Sequence, residues 1–519
     1  MAARANVPHA DAADAERETG TWKKTYLCID LKTFYASVEC IDRGLDPFKT
    51  PLVVADRERG RATICLAVSP AMKALGVRNR CRLFDIPAGL HYITARPRMR
   101  RYMEVSAKIY GIYLRYVSPQ DIHVYSIDEC FIDATPYLRL YRTTARAFAE
   151  RLRGDVLRET GITATAGIGP NLFLAKVGLD VLAKHEQDGI AVVDRNRFRR
   201  DLWKHRPITD IWGIGPGIAE RLAKYRVVDL MGAAALDERI LYREFGVNAE
   251  YLIDHAHGRE PCTIAEIQGY RPQATSSVNG QVLERNYSYD EALTVLREMV
   301  DASVLDLVSK HQVAGGISLF VGYGSEAKEL RRLGASGNAS YIDSCGQRRG
   351  STAQDIEGGT SRPRRSSGSG PEHGARATRE TRDLLADDVP RTALFQGEHG
   401  ARIPGRRGYA HAGGQRRLGE RTNSRAKLMG YFEQLYREKV DPRRPIKRLS
   451  IGMEGLADEH YATQDLFTDV EAEAREHSLQ EAIIDVKERY GKNMLMKGRS
   501  WRPEATGRQR NEQVGGHHA

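Results

Sequence analysis

The sequence predicts an α+β chain built from more than one domain, and three observations carry that expectation. At 519 residues the chain is several times the usual length of one domain. Strand-like and helix-like segments follow one another as βαββαβ between about residues 25 and 170, the order of a ferredoxin-like split layer. From 325 to 423 apolar periodicity of either kind stops and Gly, Ser and Arg dominate, separating two stretches that carry core-forming patterns.

Composition narrows the class. A hydrophobic share of 41% is enough for globular cores. No stretch approaches the roughly 18 uninterrupted apolar residues of a membrane span, so a soluble protein with no membrane partner is expected. Residues 1–22 carry several acids and no apolar h-region, which fits a disordered extension rather than a leader. Lys and Arg number 79 against 68 for Asp and Glu, a formal net charge of +11 that favours a polyanionic partner. The seven Cys include no C-x-x-C pair and several lie inside apolar runs, which argues for buried thiols in a reducing cytoplasm.

The first strand is T-Y-L-C-I-D, which delivers Asp30 to its C-terminal edge before the helically spaced L-K-T-F-Y-A-S-V-E-C. A helix is expected from Arg100 to Tyr116. Next comes a hairpin, Ile122 to Ile127 and Cys130 to Ala134, with Asp128 and Glu129 at its bend. A helix from Thr143 to Glu159, the strand T-A-T-A-G-I-G and a helix from Leu172 complete the layer. Ile208 to Val228 holds two short helical segments joined by a Gly-rich turn, a helix-hairpin-helix pattern. Beyond Ser276 a strand, a helix from Asp290 to Lys310 and a strand ending near Tyr323 begin a second α+β module. Helical S-R-A-K-L-M-G-Y-F-E-Q-L-Y-R-E-K and the strand I-K-R-L-S-I-G-M resume it, and a final helix spans Glu471 to Tyr490.

Two-metal nucleotidyl transfer needs several carboxylates converging on one point, and Asp30, Asp128 and Glu129 meet that need if their strands are neighbours. Oxygen-only ligands of this kind suit Mg²⁺, two per site. Any one of these acids taken alone also reads as a helix cap. Gly213, Gly215 and Gly217 fit backbone approach to a DNA phosphate, and a G-x-G by itself is equally an ordinary tight turn.

In this context Y-L-C-I-D-L-K-T-F-Y-A-S-V-E-C and Y-S-I-D-E-C-F-I-D resemble two catalytic motifs of the Y-family (UmuC/DinB-like) translesion DNA polymerases. The likeness continues through T-A-T-A-G-I-G-P-N-L-F-L-A-K, W-G-I-G-P-G and G-K-N-M-L-M-K-G. Within the family, A-V-S-P-A-M-K-A-L-G-V and the G-G-H-x-A terminus resemble the UvrX-type, UmuC-like branch of Gram-positive bacteria.

The resemblance implies a right-handed polymerase that adds dNTPs to a damaged primer-template, in the cytoplasm at the nucleoid, as part of DNA repair and the SOS response. Its parts are a ferredoxin-like palm (23–34 and 96–190), small fingers (35–95) and a helix-hairpin-helix thumb (191–270). A C-terminal little finger domain (271–324 and 424–455) and a tail (456–519) follow. Asp30, Asp128 and Glu129 would be catalytic and would hold the metals with the Leu31 carbonyl. Tyr35 falls at the steric gate that excludes a 2′-hydroxyl, with Phe34 beside it in the nucleotide site. A buried helix aromatic is the plainer account of Tyr35. Lys184 aligns with a lysine on the triphosphate, and Lys73 stands where an arginine is common. The usual tyrosine near that phosphate site is replaced by Pro70, after Ser69, and Ser126 is left as a structural strand residue. Gln464, Leu466 and Phe467 resemble the peptide by which bacterial polymerases dock on the sliding clamp (beta subunit), one residue short of the usual pentapeptide.

The Gly/Ser/Arg stretch 325–423 stands where the family places further strands. It reads either as a disordered basic insert or as a disrupted reading frame, with the half-familiar flank H-A-G-G-Q-R-R-L-G-E-R-T-N-S favouring the second. Two other functions are open: a noncatalytic DNA- and clamp-binding accessory protein of the same fold, and another two-metal palm enzyme such as a nucleotide cyclase. Retention of all three acids argues against the first, and the thumb hairpin and clamp-like peptide against the second.

Overall fold

The computed structural model describes residues 22–270, 275–324, 341–342, 348–349, 410–463 and 469–518. The chain divides into two compact units, Met1–Gln273 with Gln509–Ala519 and Ala274–Arg508.

In the first unit β1 (Tyr26–Leu31) is the central strand of a five-stranded sheet, because both of its faces are apolar. Leu27, Ile29 and Leu31 point into a core with Ile132, Tyr102, Ile109, Phe148 and Leu152, while Tyr26 and Cys28 point the other way, against Phe131, Leu172 and Leu179. The strand order is β5-β6-β1-β7-β8, with β5 Ile122–Val124, β6 Glu129–Asp133, β7 Ala164–Gly169 and β8 Ile190–Val192. The first four of these strands are antiparallel to their neighbours, and β8 lies parallel to β7. Helix α3 (Met99–Tyr113) connects toward β5 and α4 (Ala145–Thr160) connects β6 to β7, giving βαββαβ connectivity. Between β1 and α3 lie α1 (Phe34–Ile41) and a small sheet of β2 (Leu52–Val54), β3 (Ala67–Val68) and β4 (Ile93–Ala95). Its separate core includes Val53, Val68, Met72 and Ile86, and the short α2 (Pro70–Ala74) packs there through Met72.

Close packing against β7 depends on small residues. A Cβ on Gly167 would sit 2.0 Å from the Ala175 carbonyl oxygen and 2.5 Å from the Leu179 nitrogen, so the helix α5 (Leu172–Val177) rests directly on the strand. Past Val177 the helix widens to π geometry over Gly178–Ala183. Phe173, Leu174 and Val177 also face a third core with Phe198, Leu222, Leu230 and Leu252, which holds the helices that follow residue 195. Among those is α6 (Pro216–Ala223).

The second unit is a sheet in the order β11-β10-β12-β9, all antiparallel: β9 Ser276–Tyr287, β10 Gln312–Tyr323, β11 His411–Thr422 and β12 Ile446–Glu454. Helices α7 (Tyr289–Ser309) and α8 (Arg425–Lys439) cover one face through Leu296, Met299, Val300, Phe432 and Tyr436 against Ile317, Leu319, Leu449 and Ile451. Two expectations are corrected here. The unstructured stretch does not run to Asn423, because β11 pairs with β10 from His411↔Gly322 to Thr422↔Ala314. The strand carries no alternating signal in the sequence, because only Leu418 and Thr422 are buried and its Arg416 is held at the surface by Gln434 and Glu438. Residues after 456 are likewise more than a tail. Helix α9 (Val470–Tyr490) packs on α7, and the Glu298 carboxylate of α7 accepts from the amides of Thr506 and Gly507 at 2.8 and 3.0 Å.

Candidate active site

The β1–β6 ladder ends at the pair Asp30↔Glu129, and the Leu31 amide donates to the Asp128 carbonyl at 2.9 Å. Residues directly opposite in an antiparallel pair share a face, so Asp30 and Glu129 emerge side by side with Asp128 next in line. A tight bend builds that edge: strand β5 stops at Val124, and the amides of Tyr125 and Ser126 both donate to the Glu129 carbonyl at 3.0 Å. The Ser126 hydroxyl donates to Asp128 Oδ1 at 2.6 Å, so Ser126 holds an expected site carboxylate.

Burial, reinforced by the charge of Asp128, pushes the Asp30 carboxyl from its ordinary 3.8 up to about 7, with Lys184 and Lys176 pulling the other way. Asp30, Asp128 and Glu129 bring only oxygen donors to one edge, and an all-oxygen donor set suits a hard divalent cation. The residues therefore fit such an ion. They do not close on a ready cage: among the described residues no group of three or more His, Cys, Asp or Glu is disposed to hold a metal. Glu129 Oε1 accepts from Lys176 Nζ at 2.7 Å and from the Cys28 thiol at 3.0 Å, both on the side of α5.

Lys176 and Asp180 had no part in the sequence expectation. The side chains of Lys176 and Glu129 are 8% and 9% exposed, and Lys176 also pairs with Asp180 at 2.9 Å, which in turn accepts from Lys184 at 3.2 Å. Burial alone would depress the Lys176 ammonium, but the Cys28, Glu129 and Asp180 groups outweigh it and hold the lysine charged. One signal marks this ladder in the sequence: charged residues at i, i+4 and i+8, Lys176, Asp180 and Lys184, within an otherwise apolar helix.

Lys73, in the last turn of α2, is brought to the same side as Lys184, Asp30 and Lys32. Its ammonium is lowered by burial and then by the repulsion of Lys184, partly offset by Asp30. Ser69 caps α2 by accepting from the Met72 amide and donates to the Thr50 carbonyl, so the Ser69-Pro70 pair is built into the scaffold. The Tyr35 ring stacks on Tyr102, with centroids 4.5 Å apart at 18°, and its hydroxyl is raised by burial and by Asp128. Phe34 is 2% exposed and packs in the core behind that stack. The Leu31 side chain is buried there too.

Gly213 has φ +85, and Gly215 opens α6 with no side-chain cap, so the first amides of that helix lack a side-chain acceptor. Gly213, Gly215 and Gly217 are all exposed. Trp212 ties this turn to the hairpin of acids, its Nε1 donating to the Tyr125 hydroxyl at 3.0 Å. Gln464, Leu466 and Phe467 lie outside the described residues. No described helix is long and apolar enough to cross a membrane.

Comparison with known proteins bears on the family of the chain. The model of the impB/mucB/samB family matches residues 29–180, the span from Asp30 through Asp180. The chain is 32% identical over 307 residues to the putative UV-damage repair protein UvrX of Bacillus subtilis (strain 168), covering 59% of this chain and 72% of that one. It is 30% identical over 285 residues to DNA polymerase IV 2 of the same organism, covering 53% of this chain and 65% of that one. Among solved structures, a Y-family DNA polymerase chimera, Dbh-Dpo4(243-245)-Dbh, matches with a TM-score of 0.52 at 16% identity, over 83% of this chain and 98% of that one. That structure speaks for a multidomain α/β fold of the same kind, and the similarity to DNA polymerase IV supports a nucleotidyl-transfer role. Extensive coverage of UvrX together with the Asp30, Asp128 and Glu129 edge leads to one conclusion: the chain belongs to the Y family of UmuC- and DinB-like translesion polymerases, close to the branch of UvrX and DNA polymerase IV.

Proposed function

We propose that this chain adds deoxynucleotides to a primer 3′-hydroxyl opposite a damaged template, with low fidelity, during DNA repair or damage tolerance. The observation that carries the reading is the register Asp30↔Glu129 with Asp128 beside it, facing the lysines Lys184 and Lys73. Asp30, Asp128, Glu129 and the Leu31 carbonyl would hold two Mg²⁺ ions, whose chemistry is to favour the 3′-alkoxide and to screen the triphosphate.

The remaining roles belong to the chain itself. Lys184 and Lys73 offer positive charge to the triphosphate oxygens. Tyr35, backed by Tyr102, blocks the space a 2′-hydroxyl needs, while Phe34 supports it from the core. The exposed turn of Gly213, Gly215 and Gly217 presents backbone amides to a phosphate of the primer-template. In this reading residues 23–34 and 96–190 form the palm, 35–95 the fingers and 191–270 the thumb. Residues 275–324 with 410–455 form the domain that grips DNA, and Gln464, Leu466 and Phe467 dock on the sliding clamp.

Primer extension with Mg²⁺ tests the proposal. The full chain is expected to extend a primer, and Asp128→Ala to lose at least about a hundredfold in rate, the several kcal/mol of charge stabilisation at stake. A folded chain that binds primer-template and extends none of it would point instead to an accessory role. Equal extension by wild type and Asp128→Ala would reject the site.

A further inference from the structure

Asp180 stands between two lysines that reach toward opposite halves of the site. Its Oδ2 accepts from Lys176 Nζ at 2.9 Å and its Oδ1 from Lys184 Nζ at 3.2 Å. Lys176 is committed to Glu129 at 2.7 Å, whereas Lys184 is 46% exposed and has the freedom of a long side chain. An exposed lysine loses rotamer entropy when it is fixed on a ligand, unless something has already restrained it. The platform under Asp180 is rigid: the helix backbone lies against Gly167 of β7, and a Cβ on Gly178 would come within 2.8 Å of Val193 Cγ2. The π turn over Gly178–Ala183 carries Asp180 itself.

We infer that Asp180 is a positioning residue, holding the Lys184 ammonium where the triphosphate of the incoming nucleotide arrives and yoking it through Lys176 to Glu129. This rests on the proposed phosphate role of Lys184. Asp180 touches neither substrate nor reacting atoms. It acts through Lys184, so its removal falls on nucleotide affinity more than on the rate of the bound complex. Lys176 keeps its pair with Glu129 when Asp180 is neutralised, which shields the carboxylate edge from the change.

The experiment measures the Kd of a correct dNTP for the full chain on a dideoxy-terminated primer-template, together with KM and kcat in extension. The variants are Asp180→Asn, Asp180→Glu, Lys184→Ala and the Asp180→Asn/Lys184→Ala double. Asp180→Asn is expected to weaken Kd and KM about tenfold, the equivalent of one lost charge-assisted contact, with a smaller change in kcat. In the Lys184→Ala background the same substitution is expected to add nothing, since its target is gone. Asp180→Glu keeps both charges and should recover part of the affinity, which keeps the test informative if Asp180→Asn folds poorly. Lys184→Ala weakening the Kd while Asp180→Asn leaves it unchanged would overturn the inference. Equal Asp180→Asn effects with and without Lys184 would overturn it too. A Lys184→Ala chain with unchanged Kd would instead remove the phosphate role on which the inference stands.

Discussion

The Tyr35 ring lies flat on Tyr102, and the Tyr102 hydroxyl donates to the buried Glu39 at 2.8 Å, while Arg98 closes on the same Glu39 oxygen at 2.8 Å. This backing fixes the tyrosine from behind, so the proposed exclusion of a 2′-hydroxyl rests on position rather than on the ring's own chemistry. Tyr35→Ala is expected to raise ribonucleotide incorporation relative to deoxyribonucleotide by at least tenfold in single-nucleotide extension, with little loss of deoxynucleotide use. Unchanged sugar discrimination would place the gate elsewhere. The meeting of Asp30, Asp128 and Glu129 at one edge was legible because Asp30 lies near the end of an apolar strand and the other two at the bend of a hairpin. Lys176 was not, since a lysine in L-F-L-A-K-V-G-L-D looks like one polar position of a helix and nothing local names Glu129 as its partner. Ser126 reads as a strand residue for a similar reason: its bond to Asp128 exists only because β5 ends two residues earlier.

Helix α7 begins with a capping box. The Ser288 amide donates to Glu291 and the Ser288 hydroxyl accepts from the Glu291 amide, while Arg285 reaches the same carboxylate at 2.6 Å. Arg285 first, then the Ser288 amide, hold the Glu291 carboxyl at about 2, below its ordinary 4.5. A carboxyl that ionises more readily folded than unfolded stabilises the fold above pH 4.5, and that stabilisation is lost as pH falls toward 2. Glu291→Gln is therefore expected to cost about 1 kcal/mol in urea unfolding at pH 7, a difference that shrinks progressively below pH 4.5. A cost that does not change with pH would show that packing, not charge, fixes this helix start. Helix α7 could be placed from the sequence to within one residue, and β10 at its end near Tyr323, though it begins at Gln312 rather than at Gly315. Strand β11 could not, because an edge strand with exposed arginines lacks the alternating apolar face that announces a strand.

The molecule keeps separate cores in its two units, so under the proposed function chemistry and grip are expected to respond to mutation separately. A net charge of +11 suits a chain that works on a polyanion. Deleting Gln464 to Phe467 is expected to abolish stimulation by the sliding clamp while basal primer extension at low salt stays the same, measured with and without clamp on a long template. Stimulation that survives the deletion would assign clamp contact to another surface.

The amide of Tyr323 donates to the carbonyl of Ala410 at 2.9 Å, so the polypeptide departs the second sheet and rejoins it at one point. Closing a loop between adjacent ends costs only about 0.6 kcal/mol more for each doubling of its length. Tyr323 and Ala410 thus close a seam between the two strands. The length of chain between these two points can change without disturbing the β10–β11 pairing, at a cost that stays small.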